Sequence, residues 1–222
     1  MTDLTFTEEN HEYRWRGKVV PSVTTVLQPL TRLWTNGADL ERARQEGQAI
    51  HFVVEHECKG DLDEEGLPEW LRPYLSAWRK FVADQGFELE FSEHQAYSET
   101  WGFAGTLDLA GVLTKAKWRP SVVIDIKRTL GAKTAPLQTA AYAHLLPGPV
   151  RRRFGLSLNP ARFPEYDNPQ DWNDFLVCLA SHKLNQRWNP SSTGTYYRMQ
   201  KDGHNMLCTA DGKRSIFDDV DE

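Results

Sequence analysis

The feature that most constrains this chain is a change of hydrophobic period. Over residues 38–57, Leu40, Ala43, Gly47, Ile50 and Val54 recur at spacings of three and four, the signature of one helix face. A second helical stripe follows in Leu71, Leu75, Trp78 and Val82, with Pro68 suited to its first turn and Gly86 to its end. After Gly86 the period becomes two: Phe87, Leu89, Phe91, Glu93, Gln95 and Tyr97 share one face of a long strand. Further strands are predicted over Phe103–Leu113 and residues 122–129, joined by a basic loop with Lys115, Lys117 and Arg119. An antiparallel meander set among helices places the chain in the α/β class.

The rest of the chain continues that pattern. Thr134 can cap a helix over 136–146 that stops at Pro147-Gly148, residues 151–158 read as a fourth strand, and Asn168-Pro169 with Asp171 opens a last helix. One domain is expected over residues 1–215. It comprises an N-terminal hairpin and short helix (1–30), a core (38–188) and an extension (189–215), followed by a disordered acidic tail (216–222). A chain of 222 residues buries roughly 70% of its unfolded surface, so no metal or disulfide is needed for folding. Cys58, Cys178 and Cys208 form no C-x-x-C pair, which suits a reducing compartment. No apolar run approaches the ~20 residues that cross a bilayer. The expectation is a cytoplasmic protein of a bacterial or phage-infected cell, with no membrane partner.

The formal net charge of −5 argues against indiscriminate coating of nucleic acid. Yet the acids are concentrated. Residues 55–69 hold seven of them against one lysine, and the last five residues hold four. The remainder is mildly basic and compatible with a polyanion.

The chemistry lies in Gly105-Thr106-Leu107-Asp108, followed by Asp125-Ile126-Lys127. Residues two apart on a strand project together, so Asp125 and Lys127 are side by side, and pairing through the loop at 114–120 brings Asp108 near Asp125. These charges interrupt a run apolar enough to be buried, where unpaired charge is costly. Two carboxylates beside a lysine suit a hard divalent cation and phosphodiester hydrolysis. Gly47-x-x-x-His51 and Gln138-x-x-x-Tyr142 each pair residues one helical turn apart, and Glu93 follows core-type residues on its strand. Gly47, a glycine inside a helix, suggests close approach of another backbone or a ligand.

This ordered set resembles the PD-(D/E)XK nuclease superfamily in its RecB-like exonuclease branch, over about residues 6–142. The segment His11-x-Tyr13-x-x-x-Gly17-x-x-x-Pro21-Ser22-Val23-Thr24 is also similar to small phage-encoded members and to mitochondrial genome-maintenance exonucleases. The resemblance implies a restriction-endonuclease-like core, a central mixed β-sheet flanked by helices. It also implies a metal-dependent DNA exonuclease acting on single strands or DNA ends in recombination, repair or phage replication. A structure- or site-specific endonuclease and a catalytically silent nucleic-acid-binding module of the same fold are the alternatives.

By the same resemblance Asp108 and Asp125 are metal ligands, joined by His51 and the backbone carbonyl of Ile126. Glu93 binds a second metal or orients a ligand. Lys127 acts on the attacking water, and Gln138 and Tyr142 position the substrate or the lysine. The cofactor is Mg²⁺ or Mn²⁺, with the histidine favouring Mn²⁺. Three scattered cysteines cannot complete the four-cysteine set of iron–sulfur relatives, and the absence of a Walker motif excludes a built-in ATP-driven motor. A recombination or single-strand-binding protein is the expected partner besides DNA, and the oligomeric state is left open. Candidate DNA contacts are Arg14, Arg16, Arg44 and Arg128 to phosphates, Ser22, Thr24 and Thr25 at a helix start, and Trp101 for stacking on unpaired bases.

Overall fold

The computed structural model describes residues 3–31, 37–127, 133–150, 152–188, 197–201 and 204–208, with backbone alone for residues 37–41, 43 and the last two segments. The N-terminal segment forms an antiparallel sheet of three strands rather than a single hairpin: β1 (Leu4–Thr7), β2 (Glu12–Trp15) and β3 (Lys18–Val20). Arg16 and Gly17, both left-handed at φ 48° and 78°, make the two-residue turn between β2 and β3 that the strand twist favours. Ser22 then opens α1 (Val23–Thr31): its Oγ accepts the Thr25 N–H at 3.0 Å.

Helices α2 (Gly37–Lys59) and α3 (Arg72–Gln85) share one layer. Ile50, Val53 and Val54 of α2 and Leu75, Trp78 and Phe81 of α3 are buried together against the main sheet. A separate 3₁₀ turn, Glu69–Leu71, stands between them, so Pro68 precedes that turn and the proline in the first turn of α3 is Pro73. Gly86, left-handed at φ 65°, closes α3 by donating to Val82 O at 2.8 Å.

The main sheet has the order β4-β5-β6-β7-β8. Strands β4 (Phe87–Ser98), β5 (Phe103–Leu113) and β6 (Ser121–Ile126) form the antiparallel meander. The chain then crosses through α4 (Ala135–Ala143) to β7 (Arg152–Leu158), parallel to β6, and β8 (Ala161–Arg162) returns antiparallel. The result is an α/β fold on a mixed sheet. Thr134 sits at the N-cap position of α4 without making a side-chain cap bond. A Cβ at Gly105 would lie 3.0 Å from the Tyr142 ring and 3.2 Å from Val23, so glycine there lets α4 and α1 lie close on β5.

Arg153 ties the end of this unit together. Its guanidinium donates to Pro136 O, Asn168 O and Asp171 Oδ2 at 2.8–3.0 Å, fixing the starts of α4 and α5 (Gln170–Trp188). The chain divides into two compact units, Met1–Leu176 and Val177–Glu222, so the boundary falls inside α5 and inside the segment read as one core. Beyond α5, β9 (Tyr197–Lys201) and β10 (His204–Cys208) pair as an antiparallel hairpin. The acidic tail and Arg128 lie outside the described residues. Among the described residues no helix is long and apolar enough to cross a membrane.

Candidate metal centre

The site forms where β5 and β6 part. Their ladder runs from Val112 opposite Ser121 to Leu109 opposite Ile124. Beyond it, the Ile126 N–H donates to Asp108 Oδ2 at 2.6 Å, a carboxylate standing where a backbone carbonyl would continue the sheet. Leu109, Ile124 and Ile126 turn toward α2 and α3. Alternation sends Asp108 and Asp125 the other way, toward the Tyr142 phenol of α4.

Asp125 is 0% exposed, and Lys127 Nζ donates to its Oδ1 at 2.9 Å. Its Oδ2 is equally near the ammonium, at 2.9 Å, but outside hydrogen-bond geometry, and among the described residues it has no other donor. An oxygen of this kind, buried and with lone pairs uncommitted, is what a bound cation would use.

His51 arrives from α2. Its Nε2 lies 3.1 Å from Ile126 O and 3.7 Å from Asp108 Oδ2, and its Nδ1 lies 3.3 Å from Glu93 Oε1. Glu93 does not reach it by simple alternation. A bulge between Leu89 and Phe91 breaks the one-face run read from the sequence, and Glu93 adopts a left-handed backbone at φ 44°. A non-glycine residue there stores roughly 1–2 kcal/mol of strain, a feature concentrated at functional sites. Ligand atoms of His51, Glu93 and Asp108 lie within 4.8 Å of one another. Asp125 stands outside that triplet, held by Lys127. The mixed nitrogen and carboxylate donor set is one that a divalent cation could use.

The electrostatics follow from this crowding. Burial pushes the His51 imidazole down, but Asp108, Glu93 and the Ile126 carbonyl outweigh it and raise its pKa to about 9. Burial raises the Asp125 carboxyl and Asp108 adds to the rise, while Lys127 and His51 oppose it. For Lys127 burial favours the neutral amine, yet Asp125 and Asp108 prevail and its pKa is raised. Burial, then Asp108 and Asp125, hold Tyr142 far up as a neutral phenol. Gln138 Nε2 donates to Tyr142 Oη at 2.9 Å, which leaves the phenolic hydrogen for another oxygen.

At Gly47 the expected close approach of another backbone is not seen: among the described residues a Cβ there would meet nothing within 4 Å. The glycine faces a cavity of about 550 Å³ lined by Arg44, Gln48, His51, Glu93 and Lys127.

The candidate DNA contacts are dispersed. Ser22 is buried and its hydroxyl is engaged by the α1 cap and by Thr24 and Thr25, whose own residues are exposed. Arg14 bonds Glu12 and Gly17 O, and Arg16 bonds Asp3 and lies over the Trp15 ring. Trp101 meets Trp172 edge-on at 5.4 Å. Of the described members of this group, Arg44 alone lines the cavity at the centre.

Two tyrosines complete the surroundings. Tyr13 Oη and Thr106 Oγ1 are 2.6 Å apart beneath the site. Tyr166, passed over in the sequence, comes in from the loop after β8. Gly155 pairs with Asp125 across β6 and β7, and any Cβ at Gly155 would collide with the Tyr166 hydroxyl. The Tyr166 phenol is raised by burial and then by Asp125, with Lys127 opposing. A glycine interrupting a strand was the one available sign that something packs there.

No family model and no curated protein matches this chain. A solved structure, "Crystal structure of SSO0001", aligns with 73% of this chain and 82% of that one at 12% identity and a TM-score of 0.31, a likeness too loose to carry an argument.

Proposed function

We propose that this chain is a divalent-metal-dependent deoxyribonuclease with a PD-(D/E)XK-type core, acting as an exonuclease on single strands or DNA ends. The observation that carries the reading is the ion pair of the buried Asp125 with the half-buried Lys127 beside Asp108, with His51 and Glu93 converging where β5 and β6 part. A carboxylate buried with its partner ammonium is seldom worth more to stability than an apolar side chain of the same volume, so the presence of Asp125 points to chemistry.

His51, Glu93 and Asp108 would hold Mg²⁺ or Mn²⁺, with Asp125 Oδ2 and the Ile126 carbonyl beside them. A cation so held supplies positive charge to the phosphate oxygens and acidifies bound water. Lys127, kept protonated by Asp125 and Asp108, donates to the attacking water or a phosphate oxygen and fixes its position. Tyr142, neutral and oriented by Gln138, offers its hydrogen to a neighbouring oxygen.

The test incubates end-labelled linear and closed circular DNA, single- and double-stranded, with Mg²⁺, Mn²⁺ or chelator. Linear DNA should be degraded by the wild type and left intact with chelator or by Lys127→Ala. Degradation indifferent to both would refute the mechanism. Cutting of closed circles would make the enzyme an endonuclease, and binding without cleavage would make the chain a silent module.

A further inference from the structure

We infer that the apolar groove beside the metal centre binds an unpaired nucleobase, with Phe52 as the stacking platform; this rests on the nuclease reading above. Two cavities meet along α2. One, of about 550 Å³, contains His51, Glu93 and Lys127. The other, of about 720 Å³, is lined by Val53, Leu62, Leu67 and Leu71 together with Asp61 and Asp63. Gln48 and Phe52 belong to both.

Phe52 is 56% exposed, an aromatic ring left in water one residue from His51. It is held all the same. Its ring packs on His56 at 4.1 Å between centroids, and His56 Nδ1 lies 2.8 Å from Asp61 Oδ1. A platform already oriented loses little freedom when a ligand settles on it.

Charge sorts the two cavities between the parts of a nucleotide. The first is lined by Arg44 and Lys127 as well as by Glu55 and Glu93, and a cation held by Glu93 and His51 would tip its balance to the positive charge a phosphate needs. Asp61 and Asp63 repel phosphate from the second, so a polyanion does not continue through it. A nucleobase is uncharged, presents a π-face to Phe52 and an apolar wall, and offers N–H donors to a carboxylate or to Gln48. A strand bound in this way lays its backbone at the metal centre and turns its end base into the groove. A base still in a duplex cannot make that turn without unpairing.

The experiment measures binding of a fluorescent twelve-nucleotide oligothymidylate to the full chain in Ca²⁺, and its cleavage in Mn²⁺. Oligonucleotides with an abasic nucleotide at one terminus or the other are run in parallel. Phe52→Ala should weaken binding about five- to hundredfold, the range of base–aromatic stacking, and Phe52→Trp should retain it. Removing the base at one terminus should weaken wild-type binding by the same factor and weaken Phe52→Ala no further. The abasic substrates need no mutation, so the outcome does not depend on how a variant folds. Unchanged binding by Phe52→Ala, or losses that multiply when both changes are combined, would overturn the inference. Cleavage in Mn²⁺ with no dependence on Phe52 refutes the base site and leaves the nuclease reading standing. Dependence on Phe52 with no cleavage under Mn²⁺ does the reverse.

Discussion

Proton and cation should compete for the same imidazole, and the protein without metal should therefore lose stability as the pH rises. His51 has a folded pKa raised from 6.5 to about 9 by Asp108, Glu93 and Ile126 O, against the opposing effect of burial. A raised folded value means that the native state binds the proton more tightly than the unfolded chain. The resulting stability is fully present below pH 6.5 and is lost as the pH climbs through about 9. Every tenfold gain in proton affinity on folding is worth about 1.4 kcal/mol, so the contribution is about 3 kcal/mol, reduced to roughly 2–3 because part of the side chain is open to solvent. For a domain of this size that is a fall of about 5–10 °C in melting temperature. Asp125, also raised, adds a decline of the same sign that begins lower, above the ordinary carboxylate range. Circular-dichroism melts from pH 6 to 9.5 in chelator give the profile. His51→Gln removes the titrating group; because it also removes a charge that holds the Asp125 carboxyl down, the two curves are compared at the alkaline end, above the Asp125 transition. Mn²⁺ should raise the wild-type melting temperature most at the alkaline end, where protons no longer compete. Parallel wild-type and His51→Gln profiles in chelator would refute the reasoning.

Three further outcomes follow from the packing. Gly155→Ala forces its Cβ against the Tyr166 hydroxyl and should destabilise by about 1–3 kcal/mol in urea denaturation, with Tyr166→Phe recovering part of the loss. Gly47→Ala, whose Cβ meets open space, should instead raise the melting temperature, by up to about 1 kcal/mol of stability. A measured loss would mean that something does press on that helix face. Ser22→Ala removes the cap of α1 and should cost about 1 kcal/mol in the same denaturation assay, whereas Thr24→Ala should change it far less.

Much of the scaffold was legible because period and punctuation agreed. The bounds of β5 match its apolar run, and Gly86 ends α3 in the left-handed conformation that glycine permits. The convergence of Asp108, Asp125 and Lys127 was legible through alternation on paired strands, whereas His51, on helix α2, was joined to them by the family resemblance. What alternation cannot foresee is an inserted residue. The bulge in β4 undid the one-face reading of Glu93, which reaches His51 through an uncommon backbone conformation. Tyr166 was invisible for another reason. It is delivered by an irregular segment whose position depends on the bridge between Phe154 and Glu165 and on the Tyr166 N–H to Arg153 O bond, neither of which has a local sequence pattern. Phe52 was hidden because an apolar residue on a helix is ordinarily assigned to the core, and here it lies just off the buried stripe of Ile50, Val53 and Val54.

The bond from the Ile126 amide to Asp108 also makes a spectroscopic reporter of the strand end. A short, charge-assisted N–H···O contact of 2.6 Å shifts the amide proton resonance downfield and slows its exchange with solvent. When a cation draws electron density from the same carboxylate, that resonance should move back upfield in proportion to occupancy. A single backbone signal would then follow the loading of the centre, before any DNA is added.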